Sequence, residues 1–579
     1  MTSEITAIPE EVREDFLTLR QVQPPQLQAQ PPAISSKEVQ GPHSHSQDDE
    51  EKNQDAEVPN YTDFKLSKSG RLIFFALAVL TLVVSLDGTS ISVALPIMAT
   101  ELHGTAMQAF WSGTSFLLCS TVFQPSTATL SDIFGRRPVI LVCMVFFFVG
   151  ALVAGLANGF TQILVGRCIQ GGGGGGIAVL AEVVVTDLVP LRLRGNYYGI
   201  LSAMYSLGSV LGPILGGGFS QNVTWRWIFY INFPFIGIAA LFVIFFFNLE
   251  PPHGSLKQKL AKFDYPGTVL FIASISSFLV PLTWGGVMYP WTSWHTLLPL
   301  CLGLAGLILF TVYTTHASKR INRITPMIPP SIFQNRSAAI AFVTSSLQGL
   351  ILWGALYYLP LYYQAVHEFG PILTGVALFP QTFIVAPSAI LCGVIVTLTG
   401  RYRWGLWVGW TLSILGLGLL CLLKPGTSTA GWIFLNIPSG LGVGILTAAI
   451  VCTVQASATD ENLTSAVAMV VFFRAFGQAI GIAVGGVIFQ NRMERELSKY
   501  PRWRNMAGEL SRDAASLVMV IQGMDEEDQG GKDELKRAYT DSLRVIWAFM
   551  ACVAGVGLAL SVFVKKYDLN RALTGGAGG

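Results

Sequence analysis

The sequence predicts an all-α polytopic membrane protein: two related six-helix bundles with two inserted helices, fourteen transmembrane helices in total. Three observations predict this. Of 579 residues, 51% are hydrophobic and only 12% charged, whereas soluble chains carry about a quarter charged residues. Fourteen stretches approach the roughly 20 apolar residues a helix needs to cross a bilayer. Short motifs in the first bundle also recur eight spans later at the same spacing. The formal net charge of +2 says little about partners, and no nucleic acid is expected among them.

Residues 1–66 differ from everything after them. "QVQPPQLQAQPP" and the acidic run "DDEEKNQDAE" offer little to build a core and read as a disordered cytoplasmic tail. "MTSEITAIPEEVREDF" lacks the apolar region of a cleavable signal, so the first span is expected to target the chain. Spans at 72–98, 108–130, 138–157, 162–186, 196–219 and 226–248 make an N-terminal bundle over 67–250. Those at 265–285 and 295–316, interrupted by Pro281 and Pro299, occupy a linker over 251–336. The C-terminal bundle, 337–579, holds 337–361, 371–396, 404–423, 430–455, 463–489 and 545–564, with a long outer loop at 490–544. Within that loop "WRNMAGELSRDAASLVMVI" is expected as an amphipathic helix on the outer surface. The eight cysteines fall in apolar segments without CxxC spacing, so neither a metal site nor a disulfide framework is indicated.

Orientation follows from the loop charges. Loops after spans 2, 4, 6, 8 and 10 carry arginines and lysines, among them Arg136, Arg137, Arg192, Arg194, Lys262, Arg336 and Arg401. Loops after spans 1, 3, 5, 7 and 9 carry none, which makes both termini cytoplasmic. The loop 490–544 is then outside, although it mixes basic with acidic residues.

Span 5 contains "GSVLGPILGG" (Gly208, Gly212, Pro213, Gly216, Gly217), and span 13 contains "GQAIGIAVGG" at the same glycine spacing. The loop after span 2, "ATLSDIFGRR", matches "GVIVTLTGRYR" after span 10, with Asp132, Gly135 and Arg136 against Thr397, Gly400 and Arg401. Related halves are how many secondary transporters are built, with the substrate path between them. Span 4 carries six consecutive glycines in "RCIQGGGGGGIAVL". Unpaired backbone is too costly in lipid for a loop there, so the run predicts a thin helix that neighbours approach closely and slide along. It lacks the strand and acidic residue of a dinucleotide fold.

These motifs together resemble the major facilitator superfamily, in particular its fourteen-span drug:proton antiporter branch and the fungal toxin and multidrug efflux pumps within it. "LSDIFGRRPVI" is similar to the family's loop 2–3 signature, with Ala128 and Ile133 departing from the usual pattern. "RCIQGGGGGG" and "GSVLGPILGG" resemble its span 4 and antiporter span 5 motifs, "SLDGTSISVALP" and "WRWIFYINFP" those of spans 1 and 6. The resemblance covers about 70–570.

Several residues stand out as candidates. Asp87 lies inside span 1, where an ionisable group costs at least ~2.5 kcal/mol. It is either a proton carrier, which the resemblance favours, or a permanently charged partner of Arg167. Ser90 and Ala94 share its helical face, a small stripe suited to a cavity wall. Arg167 falls about 7 Å from Asp87 along the membrane normal at 1.5 Å per residue, with Gln170 one turn on to support it. Asp132, Gly135, Arg136 and Arg137, with Asp187, are expected to form a cytoplasmic gate latching the halves. Glu182 either lines the path or is solvated; Arg474 is a substrate or structural partner. Trp353, Tyr357 and Tyr358 are candidates to stack a flat substrate, while Tyr362 and Tyr363 read as an outer aromatic belt. Asn222 begins a possible glycosylation sequon beside the membrane.

The function expected is proton-coupled export of small amphipathic organic molecules (toxins, secondary metabolites or drugs) by alternating access. The proton gradient would be the energy source, with no cofactor and a monomer in the plasma or vacuolar membrane. The alternatives are a dedicated siderophore or amino-acid carrier and a non-transporting sensor. An enzyme is not expected, since no nucleophile–base arrangement or ligand cluster appears.

Overall fold

The computed structural model describes residues 64–569 apart from 105, 248–251, 287, 321–324, 512–513 and 525–527. The tail expected over 1–66 therefore lies almost wholly outside the described residues. Fourteen long helices follow the fourteen stretches read in the sequence. They are α1 (Lys68–Ser90), α2 (Ala106–Phe134), α3 (Arg136–Gly155), α4 (Phe160–Leu188), α5 (Arg194–Asn222), α6 (Asn232–Phe246) and α7 (Tyr265–Trp284). Then come α8 (Trp294–Arg320), α9 (Arg336–Val366), α10 (Phe379–Thr399), α11 (Arg403–Leu420), α12 (Thr429–Ser457), α13 (Leu463–Leu497) and α14 (Gln529–Val562). Twelve regions among the described residues are long and apolar enough to cross a membrane. Helices α2 and α11 complete the set and pack against α4 and α12.

Side chains start several helices: Ser67, Asp264, Asn335, Ser428 and Asp528 each accept a hydrogen bond from a first-turn N–H. Seven prolines, including Pro125, Pro213, Pro281 and Pro299, sit inside helices without ending them, as packed membrane helices allow. Two expected spans divide, each with proline in the first turn of its second piece. The first passes through a 3₁₀ turn, Ile91–Val93, into a short helix, Leu95–Glu101. The tenth splits into Pro371–Ala377 and α10. Proline fits there because first-turn N–H groups have no helical partner.

The loop between α13 and α14 is shorter than its sequence indicates. Helix α13 continues to Leu497 and α14 begins at Gln529, so 490–544 contracts to 498–528. The first turns of α14, "QGGKDELKR", are too polar for an apolar-run criterion, yet Lys532 and Lys536 dock on Glu368 at 2.7 and 2.6 Å. The single amphipathic helix expected there is instead two short ones, Ala507–Leu510 and Ala514–Gln522, which bury Ala507, Leu517, Val518 and Ile521.

The packing repeats with the sequence. In the first half α5 lies on α1, α4 on α2 and on α3, and α6 on α1; in the second, α13 lies on α9, α12 on α10 and on α11, and α14 on α9. The halves meet along two corresponding seams, α5 with α10 and α2 with α13, while α7 and α8 pack on each other and α7 touches α2 and α13. Two related bundles facing one another are the outcome.

Glycine sets the closeness. A Cβ at Gly208 would stand 2.4 Å from the Leu82 carbonyl oxygen, and at Gly216 2.1 Å from that of Ser90. In the other half Gly477 and Gly481 meet the carbonyls of Ser346 and Leu350 in the same way. The six glycines of α4 form unbroken helix wedged between two neighbours: Gly171 and Gly175 press on the backbone of α2 at Phe116 and Ser120, Gly173 on that of α3 at Cys143 and Phe147. Gly135 and Gly400, corresponding residues of the two repeated loops, both take positive φ (98° and 63°), which other residues adopt only at a cost.

Candidate functional site

Three polar clusters interrupt the apolar interior. The deepest is built around Asp87. One carboxylate oxygen accepts from the Arg167 guanidinium at 2.5 Å, the other from the Gln170 and Asn232 amides at 2.8 and 2.9 Å. Arg167 also donates to the Ser112 carbonyl (3.0 Å) and to Gln170 Oε1 (2.7 Å), and its guanidinium lies 4.3 Å from the Phe116 ring centre. Both charges are 0% exposed. A buried carboxylate is tolerable only when paired and hydrogen-bonded, and here α1, α2, α4 and α6 all supply partners. Ser90 and Ala94 are not a cavity wall: both are buried, with the Ser90 carbonyl against Gly216 of α5. The glycine face of α5 occupies that side of α1.

The second cluster joins the halves at the face where α2 ends and α3 begins, here the basic face. Gly135 turns the chain, and Arg136 donates to Asp132 (2.5 Å), Ser131 (2.7 Å), Asp187 (2.9 Å) and Thr464 of α13 (3.0 Å). Three of the expected gate residues thus meet, with Thr464 as the contact to the other half. Arg137 is not among them; it turns to the Ile244 carbonyl at the end of α6, within its own half. Close by, Arg192 and Thr397 exchange side-chain-to-backbone hydrogen bonds at 2.8 and 3.0 Å. Arg194 reaches Gln455 at 3.3 Å and Gln455 reaches Tyr198 at 2.7 Å, again between halves.

The third cluster lies deeper along the same division. Glu182 of α4 and Arg474 of α13 form an ion pair at 3.1 Å. Tyr205 of α5 meets the Trp353 indole of α9 and is near enough to Arg474 to feel its charge. Glu182 is therefore paired rather than solvated. Of the other aromatics expected on the path, Tyr357 is half-buried against Tyr358. Tyr358 is fully buried, with its hydroxyl on the Ile482 carbonyl. Tyr362 and Tyr363 are not an outer belt: both are wholly buried, bonding the Lys424 carbonyl and the Asn436 amide. A tyrosine that satisfies its hydroxyl internally has no need of an interface. Asn222 is exposed at the last residue of α5, its amide on the Gly218 carbonyl.

Comparison with known proteins fits this architecture. The model of the Major Facilitator Superfamily matches residues 77–482. The chain belongs to that superfamily. It is 49% identical over 497 residues to MFS transporter L2 of a Phoma species, covering 86% of this chain and 82% of the relative. It is 35% identical over 505 residues to the MFS-type efflux pump LUC4 of a Fusarium species, covering 87% and 88%. Among solved structures it resembles the proton:xylose symporter XylE at 14% identity, with a TM-score of 0.53 over 86% of this chain and 97% of that one; that likeness concerns the fold alone.

Like other members of the superfamily, the protein is a multi-pass membrane transporter. Sequence reasoning missed Asn232, Ser112, Thr464 and Tyr205 at these clusters. Asn232 had a signal, a lone amide in the otherwise apolar "WIFYINFPF". Ser112 acts through its backbone carbonyl, which no side-chain pattern reveals.

Proposed function

We propose that the protein is a proton-coupled antiporter that exports small amphipathic organic molecules such as toxins, secondary metabolites or drugs. Asp87 carries this reading: a carboxylate wholly buried in α1 that accepts hydrogen bonds from one arginine and two amides. Movement of α4 away from α1 takes Arg167 with it and leaves the carboxylate in a low-dielectric setting, where it takes up a proton. The glycine run gives α4 a surface on which such a shift meets few side chains. Asp132, Gly135, Arg136, Asp187 and Thr464 form the gate on the basic face, which the loop arginines place in the cytoplasm with both termini. The glycine face of α5, with Pro213, is the pivot against α1. In this scheme the protein is a monomer of the plasma membrane driven by the proton gradient without a cofactor. The efflux names of several relatives support the outward direction.

The test is retention of fluorescent and natural-product compounds in cells lacking their own pumps, with this chain, Asp87→Asn or empty vector. Each is measured with and without collapse of the proton gradient. Retention should fall only with the unaltered chain and an intact gradient. Gradient-driven export by Asp87→Asn would refute the assignment of Asp87, and an unaltered chain that moves nothing would count against export.

A further inference from the structure

We propose that Arg474 and Glu182 are the polar docking point for the transported molecule, and that this molecule is an acidic aromatic compound bearing a carboxylate or an ionised enol. The inference rests on the transport reading above. A guanidinium has five N–H donors. Arg167 uses Nε and Nη1 in three hydrogen bonds and packs against two rings, with Nη2 alone unpartnered. Arg474 makes one hydrogen bond, to Glu182, while its Nε and Nη2 are buried without a partner. The second oxygen of Glu182 is likewise buried and unpaired. Leaving such groups unmatched costs more than a hydrogen bond gains; the two Arg474 donors are ones that a ligand oxygen completes, and the Glu182 oxygen one that a proton completes.

Its place suits a carrier. The four residues come from α4 and α5 of one half and α9 and α13 of the other, so an occupant bridges the two bodies that must move. Tyr205, within reach of the Arg474 charge, and Trp353, which meets Tyr205, bring two rings to this region, and the planar guanidinium fits a carboxylate through two parallel hydrogen bonds. An arriving anion takes Arg474 from Glu182. The charged and titratable groups around Glu182 are Arg474 on α13 and Tyr198 on α5, whose hydroxyl bonds the Glu182 carbonyl, with Arg194 and Cys452 next to Tyr198. None replaces the lost cation at the carboxylate. Two like charges then share a buried site, and Glu182 takes up a proton as the anion binds.

The test uses the purified full-length protein in detergent, with 2-naphthoate and its neutral counterpart 2-naphthamide as probes. Binding is read by quenching of tryptophan fluorescence, proton uptake by the pH change of a weakly buffered solution. Naphthoate should bind on the order of tenfold or more tighter than the amide, taking up about one proton per molecule bound. Arg474→Gln should remove that preference, and Glu182→Gln should keep binding while abolishing the uptake. Equal binding of both probes, no binding of either, or an unchanged preference in Arg474→Gln would overturn the proposal. If Arg474→Gln does not fold, the acid–amide preference and the Glu182→Gln proton count decide alone. Binding needs no gradient, so intact naphthoate binding with no export would sink the transport reading and leave this site standing.

Discussion

Asp87→Asn removes a charge from the middle of the bundle while leaving the volume unchanged. An asparagine carbonyl can keep the bonds from Gln170 and Asn232, which share one oxygen at 2.8 and 2.9 Å. Its amide then occupies the other position, 2.5 Å from an Arg167 N–H, donor facing donor. Arg167, 0% exposed, is left without its carboxylate. Breaking a buried pair by removing one member costs about 3–5 kcal/mol, whereas replacing both members with neutral groups is often close to neutral. Asp87→Asn and Arg167→Gln should each lower the thermal midpoint of the purified protein, and the double variant should recover most of the loss. Export should not recover, because the double variant lacks the Asp87 carboxyl that carries the coupled proton in the proposed scheme. Thermal unfolding in detergent and gradient-driven export of one substrate, read on all four proteins, separate the two roles. A double variant that exports with the gradient would show that the pair is structural alone. A double variant as unstable as the singles would refute the pairing energetics.

Two further outcomes follow from the packing and from the Glu368 clamp. A Cβ at Gly175 would stand 2.0 Å from the Ser120 carbonyl oxygen, whereas at Gly172 it meets Phe123 at an ordinary 3.6 Å. Gly175→Ala should cost about 1–3 kcal/mol or more through overpacking, and Gly172→Ala should be neutral or gain up to ~1 kcal/mol from helix propensity; equal thermal midpoints would contradict this packing. At Glu368 burial pushes the carboxyl up, but hydrogen bonds from Lys532 and Lys536 outweigh it and hold the group below its ordinary range. A carboxyl lowered in the folded state stabilises above its unfolded pKa, and that contribution is lost as pH falls through the folded value. The midpoint difference between the unaltered protein and Glu368→Gln should therefore be full at neutral pH and close as pH falls below about 4, and a pH-independent difference would count against the clamp.

Much of the fold was legible because lipid leaves the backbone few choices. Fourteen apolar stretches had to be helices, and the glycine spacing of spans 5 and 13 was enough to pair each with its counterpart. The failures are local and share a cause. Pro96 and Pro380 each sit in the first turn of a second helical piece, where a proline fits the start of a new helix. The polar start of α14 escaped because its stability comes from contacts to Glu368 and from buried Leu535 and Tyr539, not from an apolar run. Tyr362 and Tyr363 were misplaced because their composition suits an interface, while the burial of both depends on Lys424 and Asn436, far away in the chain.

The candidate site was legible only where a charge stood alone in an apolar stretch, and the repeated architecture explains why the rest was hidden. Leu82 and Leu86 of α1 hold the places that Ser346 and Leu350 hold in α9, each receiving a glycine of α5 or α13. In that register Tyr205 corresponds to Arg474, and Asp87 falls opposite Ile351, a buried apolar residue. The residues the halves share set the distance between helices; those that differ carry the charge. A search for repeats therefore finds the scaffold and passes over the chemistry, while a search for intramembrane charge finds Asp87, Arg167, Glu182 and Arg474 and pairs the first two, but not Glu182 with Arg474. Gly349 illustrates what joins the two searches. A Cβ there would stand 2.0 Å from the Arg474 carbonyl oxygen, whereas its counterpart Ser85 donates its hydroxyl to the Tyr205 carbonyl, so the same backbone contact is made by a glycine beside the cation and by a serine in the half that lacks it.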